Sequence, residues 1–207
     1  MSRLDTFKAK YVNYCQWSFA QALYLPDDHP GVCRIMCVDW LRRILVQNKM
    51  SFQDSSYDGD DRWTEEERMQ HKIDKYLTSR PRAYMPMSVG LSAEPVEYRS
   101  PQPIPDHSGE EIAEQIYATC EEDSWSQSSL TFYMWGLFKE PKGGGHAMAW
   151  SHGDRMYFFD ANLGEYLFLE GAEAEFIDFL GDFWDVELVH HGFSKHALYR
   201  WSRLYRW

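Results

Sequence analysis

The chain has 207 residues, of which 44% are hydrophobic and 16% are aromatic, enough to bury the core of one globular domain. Its formal net charge of -11 argues against a nucleic-acid partner, whose phosphates it would repel, and suits a partner with a basic region. No stretch approaches the roughly 18 to 20 apolar residues that cross a bilayer, and the N-terminus lacks a signal-peptide core, so the sequence predicts neither an integral membrane protein nor a Sec-exported precursor.

Two amphipathic helices are predicted in the first quarter of the chain. The first extends from about Leu4 to Tyr24, where apolar and aromatic residues recur at mixed spacing. The second extends from about Val32 to Asn48 and carries an apolar stripe that includes Met36. Cys33 lies at the start of this second helix, where the positive end of the helix dipole stabilises a thiolate.

The middle of the chain alternates polar connections with short helices. Residues 51–62 are polar and acidic, which indicates a surface loop; the terminal Glu of a calcium-binding loop is missing. A capping box at Thr64 predicts a helix to about Thr78, and a second one at Ser108 predicts a short helix. Six prolines between Ser79 and His107 predict a surface crossing that borders the substrate groove.

Strands dominate the predictions for the C-terminal half. The nearly apolar run Leu130 to Phe138 predicts a central strand. Further strands are expected at Glu165 to Leu169, Val186 to His190 and Ala197 to Trp201, with an amphipathic helix at Ala172 to Trp184 between them.

No cofactor or metal is predicted. Four cysteines are too few for a disulfide scaffold, and Cys33 and Cys37 lie one helical turn apart, which fits a reduced chain. Neither this pair nor His190, His191 and His196 has further ligands at metal-binding spacing, so the histidines are interpreted as polar residues at strand ends.

A predicted β-hairpin brings two polar residues together. The apolar runs Ala147–Trp150 and Met156–Phe159 flank the tripeptide His152-Gly153-Asp154, which is typical of a three-residue loop. Counting back along both strands places His146 directly opposite Asp160, with Cβ atoms about 4.5 to 5.5 Å apart. A carboxylate in that place fixes the imidazole tautomer, as in the base and orienting residue of a catalytic triad, and Cys33 is the candidate nucleophile.

Three sequence blocks carry a family resemblance. They are Gly-x-Cys opening an apolar helix with Trp40 seven residues later, Gly-Gly-His-Ala around His146, and Phe-Phe-Asp-x-Asn-x-Gly around Asp160. In this order and spacing the chain resembles the YopT/AvrPphB family of bacterial effector cysteine peptidases, a branch of the papain-like clan. The resemblance implies one papain-like domain over residues 1–207, of class α+β, in which the nucleophile helix packs against an antiparallel β-sheet. It also implies that Cys33 is the nucleophile, His146 the general base and acid, and Asp160 the residue that orients His146.

Two positions depart from the family pattern. Ala161 follows Asp160 where the family usually has proline. The amide side chain that normally precedes the cysteine and helps its backbone N–H form the oxyanion hole is replaced by Asp27 and Asp28. An ionised carboxylate would repel an oxyanion. The candidate donors are therefore the Cys33 backbone N–H together with a protonated Asp28 or, by a different path to the site, Gln21 or Gln16.

The leading functional hypothesis is a secreted effector or toxin, a thiol protease that acts on a protein of the target cell without any cofactor. Without a Sec signal, a dedicated secretion system would deliver it from the bacterial cytoplasm, and a secretion chaperone is then an expected partner. Two alternatives use the same triad: a peptidoglycan amidase or endopeptidase, which needs an immunity protein, and a protein deamidase or transglutaminase. The non-enzyme alternative is a papain-like binding module.

Overall fold

A computed structural model describes residues 2–26, 31–49, 64–79, 84–96, 100–104, 106–124, 130–139 and 144–204. Within these ranges the chain forms five α-helices and eight β-strands. The helices are α1 (Arg3–Lys10), α2 (Cys33–Leu45), α3 (Glu65–Thr78), α4 (Gly109–Ser124) and α5 (Glu173–Phe183). The strands are β1 (Cys15–Ser18), β2 (Leu91–Pro95), β3 (Gln102–Pro103), β4 (Leu130–Phe138), β5 (Gly145–Gly153), β6 (Met156–Asp160), β7 (Gly164–Phe168) and β8 (Lys195–Arg203).

All eight strands belong to one antiparallel sheet. Their order is β1-β7-β6-β5-β4-β8-β2, and β3 pairs with β8 outside this path. The prediction that Leu130 to Phe138 forms a central strand is confirmed, because β4 lies between β5 and β8 and is buried from Thr131 to Leu137. No helix among the described residues is long and apolar enough to span a membrane.

Helices cover both faces of the sheet and produce two apolar cores. Successive side chains of a strand point to opposite faces, so β4 sends Phe132 and Met134 into one core and Tyr133 and Trp135 into the other. Helices α2 and α3 pack on the first face, whereas α1, α4 and α5 pack on the second. Phe179 of α5 lies at the centre of the second core, with its ring centroid within 5.3 Å of five other aromatic rings.

Local signals located most helix starts correctly. Thr64 and Ser108 make the predicted capping interactions, since each side chain accepts a backbone N–H three residues later and the glutamate there accepts in return. Within the proline-rich segment, short strands β2 and β3 pair with β8, so this crossing contributes an edge to the sheet. The acidic segment 51–62 lies outside the described residues.

Two of the predicted elements are wrong. The helix expected from Leu4 to Tyr24 ends at Lys10, because Cys15–Ser18 pairs with β7 and the Tyr14 ring stacks on Phe168 at 4.4 Å. The strand expected at Val186 to His190 is helical instead, continuing α5 with a π-turn (Trp184–Leu188) and a short 3-10 turn. In this helical form Leu188 stays in the same core as Phe183.

His152 makes the stability of this fold dependent on pH. Both ring nitrogens are buried and without hydrogen-bond partners among the described residues, and the ring lies 4.9 Å from that of Tyr117. Burial lowers the pKa of His152 below its ordinary value, although Glu121 and Glu173 oppose the shift. The unfolded histidine takes up a proton near pH 6.5 while the native one stays neutral, so the contribution of His152 to stability falls as the pH decreases through that value.

We therefore expect a decrease in pH from about 7.5 to about 5.5 to be more destabilising, by the free energy of unfolding in urea, for wild type than for His152→Phe. The other titrating groups contribute equally in the two proteins. Phenylalanine keeps the aromatic contact with Tyr117 and removes the titrating group. His71→Phe is the control, since His71 is exposed on α3. An equal pH dependence in wild type and His152→Phe would contradict this account.

Candidate active site

Cys33 is the first residue of α2 and lies at the N-terminal end of that helix. Within the described residues no side chain caps the N–H groups of the first turn of this helix. Val32 is the N-cap, and its backbone N–H donates to Gln21 Oε1 at 2.7 Å. The Cys33 side chain is 7% exposed, and its Sγ lies 3.8 Å from the carbonyl oxygen of Gly145 at the start of β5. The first N–H groups of a helix have no intrahelical partner, so they are available to stabilise negative charge at this position.

His146 and Asp160 form a buried hydrogen bond between His146 Nε2 and Asp160 Oδ2. His146 is 9% exposed, and Asp160, the last residue of β6, is fully buried. The second carboxylate oxygen accepts the backbone N–H of Asn162 at 2.7 Å. Each carboxylate oxygen of Asp160 therefore accepts a hydrogen bond, and together these bonds fix its orientation.

The hairpin brings these two residues together, but the predicted register is wrong. Asp160 pairs with Met148 and not with His146, so the two side chains meet as diagonal neighbours on the same face of the sheet. The shift begins at the turn, where the Ser151 hydroxyl donates to the Arg155 carbonyl and accepts the N–H of Tyr157. In the predicted register Ser151 and Arg155 would lie directly opposite each other. Here the Ser151 hydroxyl, and not its backbone N–H, donates to the Arg155 carbonyl.

Charge around His146 favours the imidazolium. Burial alone lowers the pKa of an imidazole, but the Asp160 carboxylate and a hydrogen bond with Cys33 hold the pKa of His146 well above its ordinary value. Since Nε2 faces Asp160, Nδ1 is the ring nitrogen left for the Cys33 thiol. The ring of Phe193 stacks against His146 with centroids 6.5 Å apart and an interplanar angle of 28°.

Gln21 ties the start of α2 to the turn that follows Asp160. Its backbone N–H donates to the Ala161 carbonyl at 2.8 Å, and its side-chain Nε2 donates to Asn162 Oδ1 at 3.1 Å. With Oε1 held by Val32, this amide is fixed next to Cys33. Asp28 lies outside the described residues, and Gln16 is exposed on β1 with its amide directed to the Tyr14 carbonyl.

Two cavities meet at Cys33 and His146. The larger, about 600 Å³, has apolar walls from α2, β4 and β8, and includes Pro86 and Pro101 of the predicted crossing. The smaller, about 320 Å³, is lined by Gln21, Asn162 and the charged side chains of Lys139 and Glu187. A chain lying across the thiol would therefore meet two chemically different surfaces.

The histidines near the C-terminus are engaged in local contacts. His191 Nε2 lies 3.2 Å from Glu187, His190 Nε2 lies 3.3 Å from Arg3, and His196 Nδ1 accepts the Trp135 indole N–H at 3.2 Å. In the described ranges no group of three His, Cys, Asp or Glu side chains is arranged to hold a metal ion.

Sequence reasoning missed Asn162 and Phe193 as parts of this site. Asn162 belongs to the same block as Asp160, and its position two residues later was the available signal. Phe193 reaches His146 from the segment between α5 and β8, a contact that no local pattern indicates.

Comparison with solved structures finds an avirulence protein of Pseudomonas, AvrPphB, whose crystal structure matches with a TM-score of 0.51 and 17% sequence identity. The match covers 93% of this chain and 99% of that protein. No protein-family model matches the chain, and neither does any curated protein. At this identity the match shows the fold alone, and it confirms the predicted α+β, papain-like arrangement of helix and antiparallel sheet.

Proposed function

We propose that this protein is a papain-like cysteine peptidase that cleaves a protein substrate through Cys33, His146 and Asp160. The observation that carries the proposal is the convergence of a helix-terminal thiol, an imidazole and a buried carboxylate from three separate elements. A structural histidine rarely has one ring nitrogen on a buried carboxylate and the other on a thiol. This order of contacts suits a nucleophile, a base and an orienting residue.

Cleavage would proceed in two steps. The Cys33 thiolate attacks the scissile carbonyl carbon, and as the C–N bond breaks, the His146 imidazolium gives its proton to the leaving nitrogen. Water then attacks the thioester while His146 removes a proton from it, which releases the acid product and restores the thiolate. Asp160 keeps the His146 ring oriented and stabilises its positive charge in both steps.

Gln21 is the proposed oxyanion donor together with the backbone N–H of Cys33. Its amide nitrogen carries two hydrogens, of which one is donated to Asn162, and no other described residue accepts the second. We expect Gln21→Ala to lower kcat by about 10² to 10³ while KM changes little, as measured on a cleaved peptide. Asn162→Ala is the matched control for the loss of the anchoring bond alone and should cost less. Equal losses in both variants would make Gln21 a positioning residue only.

We further propose that the protein acts as an effector inside another cell. AvrPphB, with which it shares its fold, is an avirulence protein by name. The net charge of -11 favours a substrate with a basic region outside the cleavage site. Delivery into that cell by a dedicated secretion system is part of this proposal.

The test of the peptidase chemistry is selective labelling of Cys33. Wild type, His146→Ala and Asp160→Ala are treated with limiting iodoacetamide at about pH 6, where an ordinary thiol is mostly protonated, and the label is mapped by peptide mass spectrometry. We expect rapid labelling of Cys33 in wild type and slow labelling in His146→Ala. Cys15, which is partly exposed, is the internal control. Slow, indiscriminate labelling in wild type would contradict the proposal and favour a binding module.

A further inference from the structure

Apart from Arg34 and the proposed catalytic pair Cys33 and His146, the described lining of the larger cavity is apolar. Its volume is about 600 Å³, and it opens beside Cys33 and His146. Its lining side chains are chiefly aliphatic or aromatic: Val32, Ile35, Met134, Leu137, Phe138 and Trp201. Pro86, also in the lining, lies between Met85 and Met87, which are 49% and 72% exposed, so apolar surface continues outside the cavity. Such a surface favours a large apolar side chain of a bound peptide.

Arg34 supplies the single permanent charge among the described residues of this lining. It follows Cys33 directly, is exposed, and forms no ion pair with the described residues. A cation in the first turn of a helix is unfavourable because it meets the positive end of the dipole, and α2 has no acidic residue there to offset it. A residue that is unfavourable for local stability is expected where its side chain contacts a ligand.

The smaller cavity carries both signs of charge, because its lining includes Lys139, Glu187 and His191. It therefore does not favour a substrate side chain of either charge. The overall charge of -11 does not prevent an acidic group from reaching Arg34, because exposed charges more than about 10 Å away are largely screened by salt. Attraction at contact distance therefore decides the preference in the larger cavity.

Resting on the proposed peptidase function, we propose that Arg34 is a specificity-determining residue. The substrate presents a large apolar side chain to the cavity and an acidic side chain to Arg34, on the same side of the scissile bond. A basic region elsewhere on the substrate is compatible with this, since it would face the acidic outer surface. The chemistry that defines the substrate is thus an apolar residue close to a carboxylate.

The test begins with the full-length protein and a peptide library prepared by digesting a cell lysate. Cleaved peptides are sequenced by mass spectrometry, and we expect enrichment of an apolar and an acidic position on one side of the cut. A cleaved sequence is then synthesised with Glu, Gln or Lys at the acidic position. The value of kcat/KM for Glu relative to Gln should fall about fivefold in Arg34→Ala, and Arg34→Glu should prefer Lys.

Ratios between peptides are used because Arg34 variants also alter the field at the Cys33 thiol, an effect common to all three peptides. Lys75→Ala removes one exposed positive charge from α3, outside both cavities, and should leave the ratio unchanged. Cleavage with no apolar enrichment, or with a Glu-to-Gln ratio that neither Arg34 variant changes, overturns this inference and leaves the peptidase intact. If wild type cleaves no peptide and Cys33 is not selectively labelled, the proposed peptidase function itself is overturned.

Discussion

Cys33→Ala and His146→Ala should each lower peptide cleavage by about a factor of 10⁶ in kcat, because in the proposed mechanism the nucleophile and its base act as a unit. The double variant should be no worse than either single one, since removing one member already removes the contribution of the other. The measurement is single-turnover and steady-state cleavage of a peptide selected from the library, with each variant checked for folding by near-ultraviolet circular dichroism.

Asp160→Asn tests the third member with a smaller expected loss, about 10⁴ in kcat, because the carboxamide keeps the shape and loses the charge that holds the imidazolium. Cys37→Ala is the matched control: it removes a thiol one turn further along α2, where Sγ donates to the Ala147 carbonyl at 3.2 Å. This variant should retain cleavage. If the Cys33→Ala, His146→Ala double variant lost kcat by the product of the two single losses, the two residues would not act together.

Asp39→Ala should lower the free energy of unfolding by about 3 to 5 kcal/mol, because it removes a buried carboxylate that faces a buried lysine. Asp39 Oδ2 lies 3.6 Å from Lys72 Nζ and accepts the Tyr76 hydroxyl at 2.8 Å, while Oδ1 accepts two bonds from Arg42. Burial lowers the pKa of Lys72 to about 7 despite the attraction of Asp39. The loss is measured by urea unfolding at about pH 7.

Two further variants separate charge from packing. Asp74→Ala removes an exposed carboxylate on α3 that accepts a hydrogen bond from the Gln70 amide at 2.9 Å. It should change stability by less than about 0.5 kcal/mol. Asp39→Leu combined with Lys72→Met replaces both charges by apolar groups and should recover most of the loss. A similar loss in the double variant would mean that shape at Asp39, and not the charge of Lys72, explains the effect.

Local chemistry explains most of what the sequence predicted correctly. Capping boxes and apolar periodicity define helices α2 to α5, and the uninterrupted apolar run of β4 indicates a strand buried on both faces. The pairing of His146 with Asp160 followed from the hairpin pattern even though its register was wrong, since the shift is two residues and keeps both side chains on the same face.

What the sequence did not indicate depends on contacts between distant segments. Cys15–Ser18 has no strong strand pattern and is a strand because β7 lies beside it. The anchoring of Gln21 requires Val32, Ala161 and Asn162, which are brought together only by the complete fold. Secondary-structure propensity and residue spacing describe neighbours along the chain, so they do not predict tertiary contacts of this kind.

The position of β8 has a consequence for how the chain is made. This strand follows all the others in sequence, yet it lies inside the sheet between β4 and β2 and also pairs with β3. A ribosome releases the strands in order, so one edge of β4 stays open until residues 195–203 emerge. An open apolar edge is a template for pairing with other chains. Every newly made molecule therefore passes through a period of exposure to aggregation, and the arrival of β8 ends it.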